Sequence, residues 1–171
     1  KEEKILQERE ARVFGAGVTE IITVCPNCED YLCGRVSMRV VNIYEKLKEL
    51  GIGGKISGGC RMFRPCPDRE KGRWLKDIEF FLERECSVIG DIQCCGLGGN
   101  GGVMEPELAK GFAEKVKKCP DTVYTYCGSC AGNLTRNGCK KVRHVLPEIL
   151  GTGERPDTVK SLINRMRTKN L

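Results

Sequence analysis

The sequence has 171 residues, of which 40% are hydrophobic and 30% charged, with a formal net charge of +6 at pH 7. This length is enough for one ordinary domain with a core or for two small similar lobes, and the mixed charges are typical of a globular protein. The basic residues are not interleaved with aromatic ones, so we expect no nucleic-acid binding. No apolar run approaches the roughly 18–20 residues of a membrane span, so we expect no direct membrane insertion. The opening KEEKILQERE lacks the apolar core of a signal peptide, so we expect no secretion.

The first third of the chain predicts a strand and then a helix. The run TEIITV at 19–24 is rich in β-branched residues, which favours a strand. The following segment predicts a helix that Ser37 caps and Gly51 ends, with Val40 and Tyr44 on its apolar face.

The middle of the chain repeats this alternation. A strand is predicted at 62–63 and another at 87–89. Between them, the spacing of Trp74 and Ile78 predicts a helix that begins after Asp68.

The last third predicts a helix, a strand and a terminal helix. Pro106 lies in the first turn of the first helix, and Leu108 and Phe112 lie on its apolar face. The run TVYTY at 122–126 predicts the strand. In the terminal helix, which begins near Pro156, four apolar residues are predicted to face inward: Val159, Leu162, Ile163 and Met166. This alternation predicts an α/β fold with a short, largely parallel sheet flanked by helices.

Two segments of the chain resemble each other. ITVCPNCEDYL at 22–32 aligns without gaps on YTYCGSCAGNL at 124–134, an offset of 102 residues. The alignment predicts two related halves, with 1–50 as the C-terminal half of a first unit and 51–171 as a complete second unit with a C-terminal helix. Because the first unit is truncated at its start, we expect the chain to be the C-terminal part of a longer protein.

The twelve cysteines are the strongest chemical signal. They are grouped as C-x-x-C, C-C and C-x-x-C, which favours metal or redox chemistry over a secreted disulfide framework. Five thiolates from three loops are expected to form one site: Cys94, Cys95, Cys127, Cys130 and either Cys60 or Cys66. A zinc ion takes four ligands at one point, whereas a multi-iron cluster offers separate corners to the diverging side chains of adjacent cysteines. The pattern therefore favours an iron–sulfur cluster over zinc.

A glycine-rich run follows the adjacent cysteines. Gly96, Gly98 and Gly99 lie in the segment CCGLGGNGG, and glycine lets a backbone come close to a bulky group and direct N–H groups at it. We expect these glycines to line a cofactor.

These motifs resemble a known family. The CCG at 94–96, the CGSC at 127–130 and an upstream cysteine are similar to the cysteine-rich CCG domain of heterodisulfide reductase, which also occurs in iron–sulfur proteins of glycolate, lactate and anaerobic glycerol-3-phosphate oxidation. That family usually carries two such domains. The pair Cys25 and Cys28, in CPNC, resembles the closing ligand pair of the first.

The resemblance implies a [4Fe-4S] cluster, in some members an unusual non-cubane form that binds and cleaves a substrate disulfide. It leaves the first ligand open. Cys66, in FRPC, has the more similar local context, whereas Cys60 lies at a separation from Cys94 that is closer to the family's usual spacing.

The expected function is that of an iron–sulfur electron-transfer domain in a cytoplasmic oxidoreductase, held at a membrane only through a partner. The expected partners are other redox subunits or a ferredoxin-like domain. The alternative is a structural zinc or metal-free thiol domain that docks a redox partner. The remaining cysteines are expected to be small buried apolar residues, and His144 a structural histidine; the cysteines concerned are Cys33, Cys86, Cys119 and Cys139.

Overall fold

The fold was analysed on a computed structural model that describes residues 2–90, 94–98 and 101–168. Within these residues the chain forms two small sheets flanked by helices, in which neighbouring strands are parallel. The strands are β1 (Glu20–Thr23), β2 (Arg39–Asn42), β3 (Cys60–Met62), β4 (Ser87–Val88), β5 (Thr122–Thr125) and β6 (Val142–His144). The predicted α/β class is confirmed, with the strands divided between two sheets.

The helices connect the strands and cover the sheets. They are α1 (Glu2–Gly15), α2 (Pro26–Leu32), α3 (Ile43–Leu50), α4 (Arg73–Glu79), α5 (Gly101–Met104), α6 (Pro106–Lys117), α7 (Gly128–Arg136), α8 (Val145–Ile149) and α9 (Thr158–Thr168). Parallel strands require such crossover connections, because the chain must return to the same edge before the next strand begins. None of the helices in this part of the chain has both the length and the apolar character needed to cross a membrane.

The sheet topology places the cysteine segments. β1 pairs with β2, and the larger sheet has the order β4-β3-β5-β6. Cysteines follow the carboxyl ends of four strands: Cys25 after β1, Cys66 after β3, Cys94 after β4 and Cys127 after β5. In open parallel sheets this edge is where ligands bind.

The offset of 102 residues also relates secondary-structure elements. Adding 102 to the residue numbers of β1 gives those of β5. The same offset relates the first residue of α2 to that of α7, and the first residue of α3 to that of α8. The pairing of Thr23 with Asn42 recurs as the pairing of Thr125 with His144. The division into units at residues 50 and 51 stays a prediction, and one buried cluster spans that boundary, since Tyr44 packs with residues from the second unit.

The helix predicted after Ser37 begins later than expected. Val40 lies in β2, where it pairs with Ile21, and α3 starts only after Asn42. The Asn42 side chain accepts the backbone N–H of Glu45 at 2.9 Å, so Asn42 and not Ser37 is the N-cap. The predicted end is correct, because Gly51 has the left-handed φ of 65° that terminates a helix.

The inward faces of two helices also differ from prediction. In α6 the buried residues include Ala109 and Ala113, whereas Leu108 is 58% exposed. In α9 the prediction of an inward face was wrong, because its four apolar residues are 41–66% exposed: Val159, Leu162, Ile163 and Met166. The helix predicted after Asp68 is confirmed as α4, with Trp74 and Ile78 buried.

A buried carboxylate organises the loop between β3 and α4. Asp68 is 3% exposed, and its oxygens accept hydrogen bonds from the backbone N–H groups of Trp74 and Leu75, each at 3.2 Å. The Tyr126 hydroxyl donates to the same carboxylate at 2.7 Å. Asp68 therefore satisfies the first turn of α4 and fixes that helix to the end of β5.

We expect Asp68→Ala to lower the free energy of unfolding by about 3–5 kcal/mol, because three buried donors lose their acceptor. Tyr126→Phe should cost about 2 kcal/mol, since two donors to the carboxylate remain. Urea denaturation measures both. The control is Asp121→Ala, which removes an exposed pair with Arg61 and should stay close to wild type. Equal effects of Asp68→Ala and Asp121→Ala would contradict the role of Asp68.

Candidate functional site

The two C-x-x-C pairs have the same local geometry. Cys25 and Cys127 are the N-cap residues of α2 and α7, with extended backbones that turn the chain from strand into helix. Cys28 and Cys130 lie three positions later, in the first turn. A spacing of three on a helix keeps both thiols on one face, so each strand end presents a thiol pair.

Cys66 and Cys94 come together from different strand ends. Their Sγ atoms are 4.0 Å apart, and the backbone N–H of Gly96 donates to the Cys94 sulfur at 3.2 Å. Desolvation and the neighbouring Cys94 raise the pKa of Cys66 to about 11. Cys66 is therefore protonated at neutral pH when no metal is bound.

Three buried thiols form a hydrogen-bonded group. The single S–H proton of Cys130 can be donated to Cys127 or to Cys95, and all three residues are at most 4% exposed. This donation lowers the pKa of Cys127 to about 6 and that of Cys95 to about 7, and it raises the pKa of Cys130. The thiol of Cys130 thus favours the nucleophilic, metal-binding thiolate form of the neighbour that accepts its proton, and Cys127 has the lower pKa of the two.

The first C-x-x-C pair borders the same region. Cys25 and Cys28 are hydrogen-bonded to each other, and Cys28 is exposed. Desolvation raises the pKa of Cys28, and Cys25 and the charge of Cys127 raise it further. The sequence alignment predicts that Cys25 and Cys28 belong to a separate first unit. In the structure, Cys28 lies close enough to Cys127 of the second unit to interact with its charge.

Cys60 has a different partner. It forms a disulfide with Cys86, whose Cα lies 5.3 Å from that of Cys60. Of the two alternatives for the first ligand, Cys60 is engaged in this bond, whereas Cys66 is a free thiol beside Cys94. The prediction that Cys86 is a small buried apolar residue was wrong.

The other cysteines and the histidine have ordinary environments. Cys139 is buried as predicted, Cys119 is half-buried, and Cys33 is exposed, contrary to prediction. His144 is the N-cap of α8, where its Nδ1 accepts the Leu146 N–H at 3.2 Å. Burial lowers the pKa of His144 to about 4, so the ring is neutral and structural, as predicted.

The glycines after the cysteines differ in what requires them. Gly96 has φ +84°, and a Cβ built there would lie 2.6 Å from the Ala109 Cβ. Gly96 is therefore needed for the turn and for close packing on α6, as well as for its N–H bond to Cys94. Among the described residues, no heavy atom lies within 4 Å of a Cβ built at Gly98. Gly99 lies outside the described residues, so its predicted role stays a prediction.

Sequence reasoning missed the polar residues that hold the cysteine segments. Asp68 lies two residues after Cys66, and Tyr126 directly precedes Cys127. Glu29 is 6% exposed and pairs with the guanidinium of Arg73 at 2.5 Å and with the indole N–H of Trp74.

Asn133 completes this set of missed residues by donating to the backbone oxygen of Cys95 at 2.6 Å. One sequence feature could have identified three of the missed residues, since each lies within two positions of a cysteine: Glu29, Asp68 and Tyr126.

The donor set determines what the site can hold. In the described part of the chain, no three His, Cys, Asp or Glu side chains are arranged to hold one metal ion. The thiols form a pair, Cys66 with Cys94, and a hydrogen-bonded group around Cys130. The available donors are therefore cysteine sulfurs, the ligand type that soft metals such as zinc and iron in iron–sulfur clusters prefer.

Comparison with protein-family models, with curated proteins and with solved structures gave no match to this chain.

We expect Gly96→Ala to lower the free energy of unfolding by about 2–4 kcal/mol, because alanine is strained at this φ and its methyl group meets Ala109. The matched control, Gly98→Ala, should stay within about 0.5 kcal/mol of wild type. Chemical denaturation of both variants measures this. Similar losses in the two variants would contradict the packing role of Gly96.

In reduced, metal-free protein, thiolates should appear as the pH rises through about 6 to 7, because the pKa values of Cys127 and Cys95 are lowered on folding. Cys130→Ala removes their donor while the burial remains, and should raise both pKa values to about 8.5 or higher. The ultraviolet absorbance of thiolates measures the titration. Cys139→Ala, the control, should keep the early transition.

Proposed function

We propose that the chain is an iron–sulfur electron-transfer domain of an oxidoreductase, similar to the CCG domain. Five residues would hold a [4Fe-4S] cluster: Cys66, Cys94, Cys95, Cys127 and Cys130. The observation that carries the proposal is that thiols from three strand ends lie together at one edge of the sheet. When bound, such a cluster supplies reversible one-electron transfer.

The chain's own residues have defined tasks in this proposal. The pKa values of Cys127 and Cys95 are lowered to about 6 and about 7, so they can bind a metal with little cost of deprotonation. The N–H of Gly96 donates to the Cys94 sulfur and offsets negative charge there. Phe63, Leu134 and other residues of the surrounding buried cluster exclude water.

The partners belong to the same proposal. Electrons would come from other redox subunits or a ferredoxin-like domain, and would leave to a disulfide, a flavin subunit or a quinone-linked partner. Cys66 is exposed and Cys94 half-buried, so this side of the site is open to a partner or small substrate. A cytoplasmic location is part of the same proposal, because the proposed site requires reduced thiols.

A metal-free thiol domain is the second candidate function. The hydrogen-bonded group of Cys95, Cys127 and Cys130 favours it, because paired thiols with lowered pKa values are typical of dithiol redox sites. Structural zinc is the other form of this second candidate, since cysteine thiolates are also zinc ligands. Metal-free protein would exchange disulfides at these cysteines and bind no iron.

Anaerobic reconstitution with iron and sulfide tests the proposal. Wild-type protein should gain broad visible absorption and stoichiometric iron and sulfide. Cys94→Ser or Cys95→Ser should lose most of both, because serine is a poorer, harder ligand. Cys119→Ser is the matched control and should bind iron as wild type does.

The first pair gives a further comparison. Cys25→Ser and Cys28→Ser should retain iron. The reduction potential of the bound cluster should nevertheless shift, because Cys28 interacts electrostatically with Cys127. Iron loss equal to that of Cys94→Ser would mean that both pairs serve one shared site. A colourless protein with one tightly held zinc would contradict the iron–sulfur proposal.

A further inference from the structure

A second group of thiols lies at the opposite edge of the larger sheet. A cavity of about 280 Å³ is bordered by the C-terminal part of α6, the amino ends of β5 and β6, and the loop that follows α7. Cys119 and Cys139 both line it. The proposed cluster site lies at the carboxyl ends of the strands, so this cavity is separate from it.

The cavity combines an apolar floor with positive charge. Val116, Val123 and Val142 form the buried floor, and three lysines line the cavity: Lys117, Lys140 and Lys141. Its volume is below the range of about 300–1,000 Å³ that is usual for drug-sized ligands, so it suits a small ligand.

The lysine charges are unequally compensated. Lys117 pairs with the Glu114 carboxylate, which offsets its charge. Lys141 donates to the backbone oxygen of Pro120 at 2.7 Å, a contact that holds the ammonium in place but leaves its charge. Lys140 is exposed at the rim. The cavity therefore attracts small anions.

The two thiols differ in reactivity. Cys139 is 3% exposed, its sulfur lies 3.4 Å from the Ala113 backbone oxygen, and burial raises its pKa, so it stays a protonated thiol. Cys119 is half-buried at the end of α6, where a ligand in the cavity can reach it. Cys119 is the nucleophile that this cavity offers.

We propose that this cavity binds a small organic anion that carries a disulfide, and that Cys119 reacts with it to form a mixed disulfide. The Cys119 thiolate attacks one sulfur of the ligand, the ligand S–S bond breaks, and a new S–S bond joins Cys119 to the bound half. The other half leaves as a thiolate and takes up the proton that Cys119 released. Cys119 is oxidised, the ligand disulfide is reduced, and the bound anion lies against the lysines.

Three small disulfides of different charge test this in reduced full-length chain: dithiodiacetate (anionic), bis(2-hydroxyethyl) disulfide (neutral) and cystamine (cationic). Peptide mapping by mass spectrometry gives the rate of adduct formation at Cys119. The anionic reagent should react about tenfold faster than the cationic one. The control is the same protein unfolded in urea, in which the lysines next to Cys119 in sequence remain but Lys140 and Lys141 are no longer held close to it. In the unfolded protein, the anionic reagent should react with Cys119 only slightly faster than the cationic one.

Charge variants locate the effect. Lys140→Glu should lower the anion-to-cation rate ratio at Cys119 by about fivefold, whereas Lys4→Glu, on α1, should leave it unchanged. Equal ratios in folded and unfolded protein, or equal effects of the two variants, would overturn the proposal. A disulfide between Cys119 and Cys139 in place of the adduct would also overturn it. Iron binding at the other edge of the sheet is measured separately and does not decide this result.

Discussion

The hydrogen bonds to Asp68 are the interactions on which the cysteine arrangement depends. One buried carboxylate accepts from the Tyr126 hydroxyl and from the first turn of α4, and it lies two residues from Cys66 while Tyr126 directly precedes Cys127. Trp74 extends the network, since its ring stacks on that of Tyr126 with a centroid distance of 6.2 Å. Its indole N–H donates to Glu29, the neighbour of Cys28. Three cysteine segments are thereby fixed to one another by charge-assisted bonds in a dry interior, where such bonds are strong.

The thiols differ in acidity because their burial and their sulfur neighbours differ. The group of Cys95, Cys127 and Cys130 lies in a buried apolar cluster, where an isolated thiolate would be unfavourable. The Cys130 thiol compensates by donating its proton to one or the other neighbour, which lowers the pKa of both. Cys66 is also partly desolvated, and the neighbouring Cys94 raises its pKa further, so its proton is retained. In the proposed cluster, metal would take the place of the Cys130 proton and would neutralise the charges of the Cys95 and Cys127 thiolates. The same three cysteines could therefore serve either proposal, the cluster or the metal-free thiol group.

Local patterns predicted the strands that precede the two C-x-x-C pairs. The β-branched runs indicated β1 and β5, whereas the helices α2 and α7, which begin within the pairs, were not predicted. The rest depends on contacts between distant residues. The four-residue strand β2 joins α3 directly, so helical periodicity continued into Val40, and only pairing with Ile21 makes that residue a strand. Leu108 is more apolar than Ala109, but the close approach of Gly96 leaves room only for the small side chain. The bond between Cys60 and Cys86 joins residues 26 positions apart, which spacing alone does not indicate.

The two C-x-x-C pairs have corresponding places in the fold. Each pair follows a strand and its first cysteine is the N-cap of a helix. The aromatic contacts of Trp74 with Tyr44 and Tyr126 pack the segments around the two pairs together. The Cys127 charge contributes to the raised pKa of Cys28, so protonation or ligation at Cys127 makes Cys28 easier to deprotonate. Linkage is reciprocal, and a negative charge on Cys28 must therefore disfavour the Cys127 thiolate to the same extent. The pair Cys25 and Cys28 therefore influences the ionisation of Cys127 through its charge, whichever group the pair Cys127 and Cys130 holds.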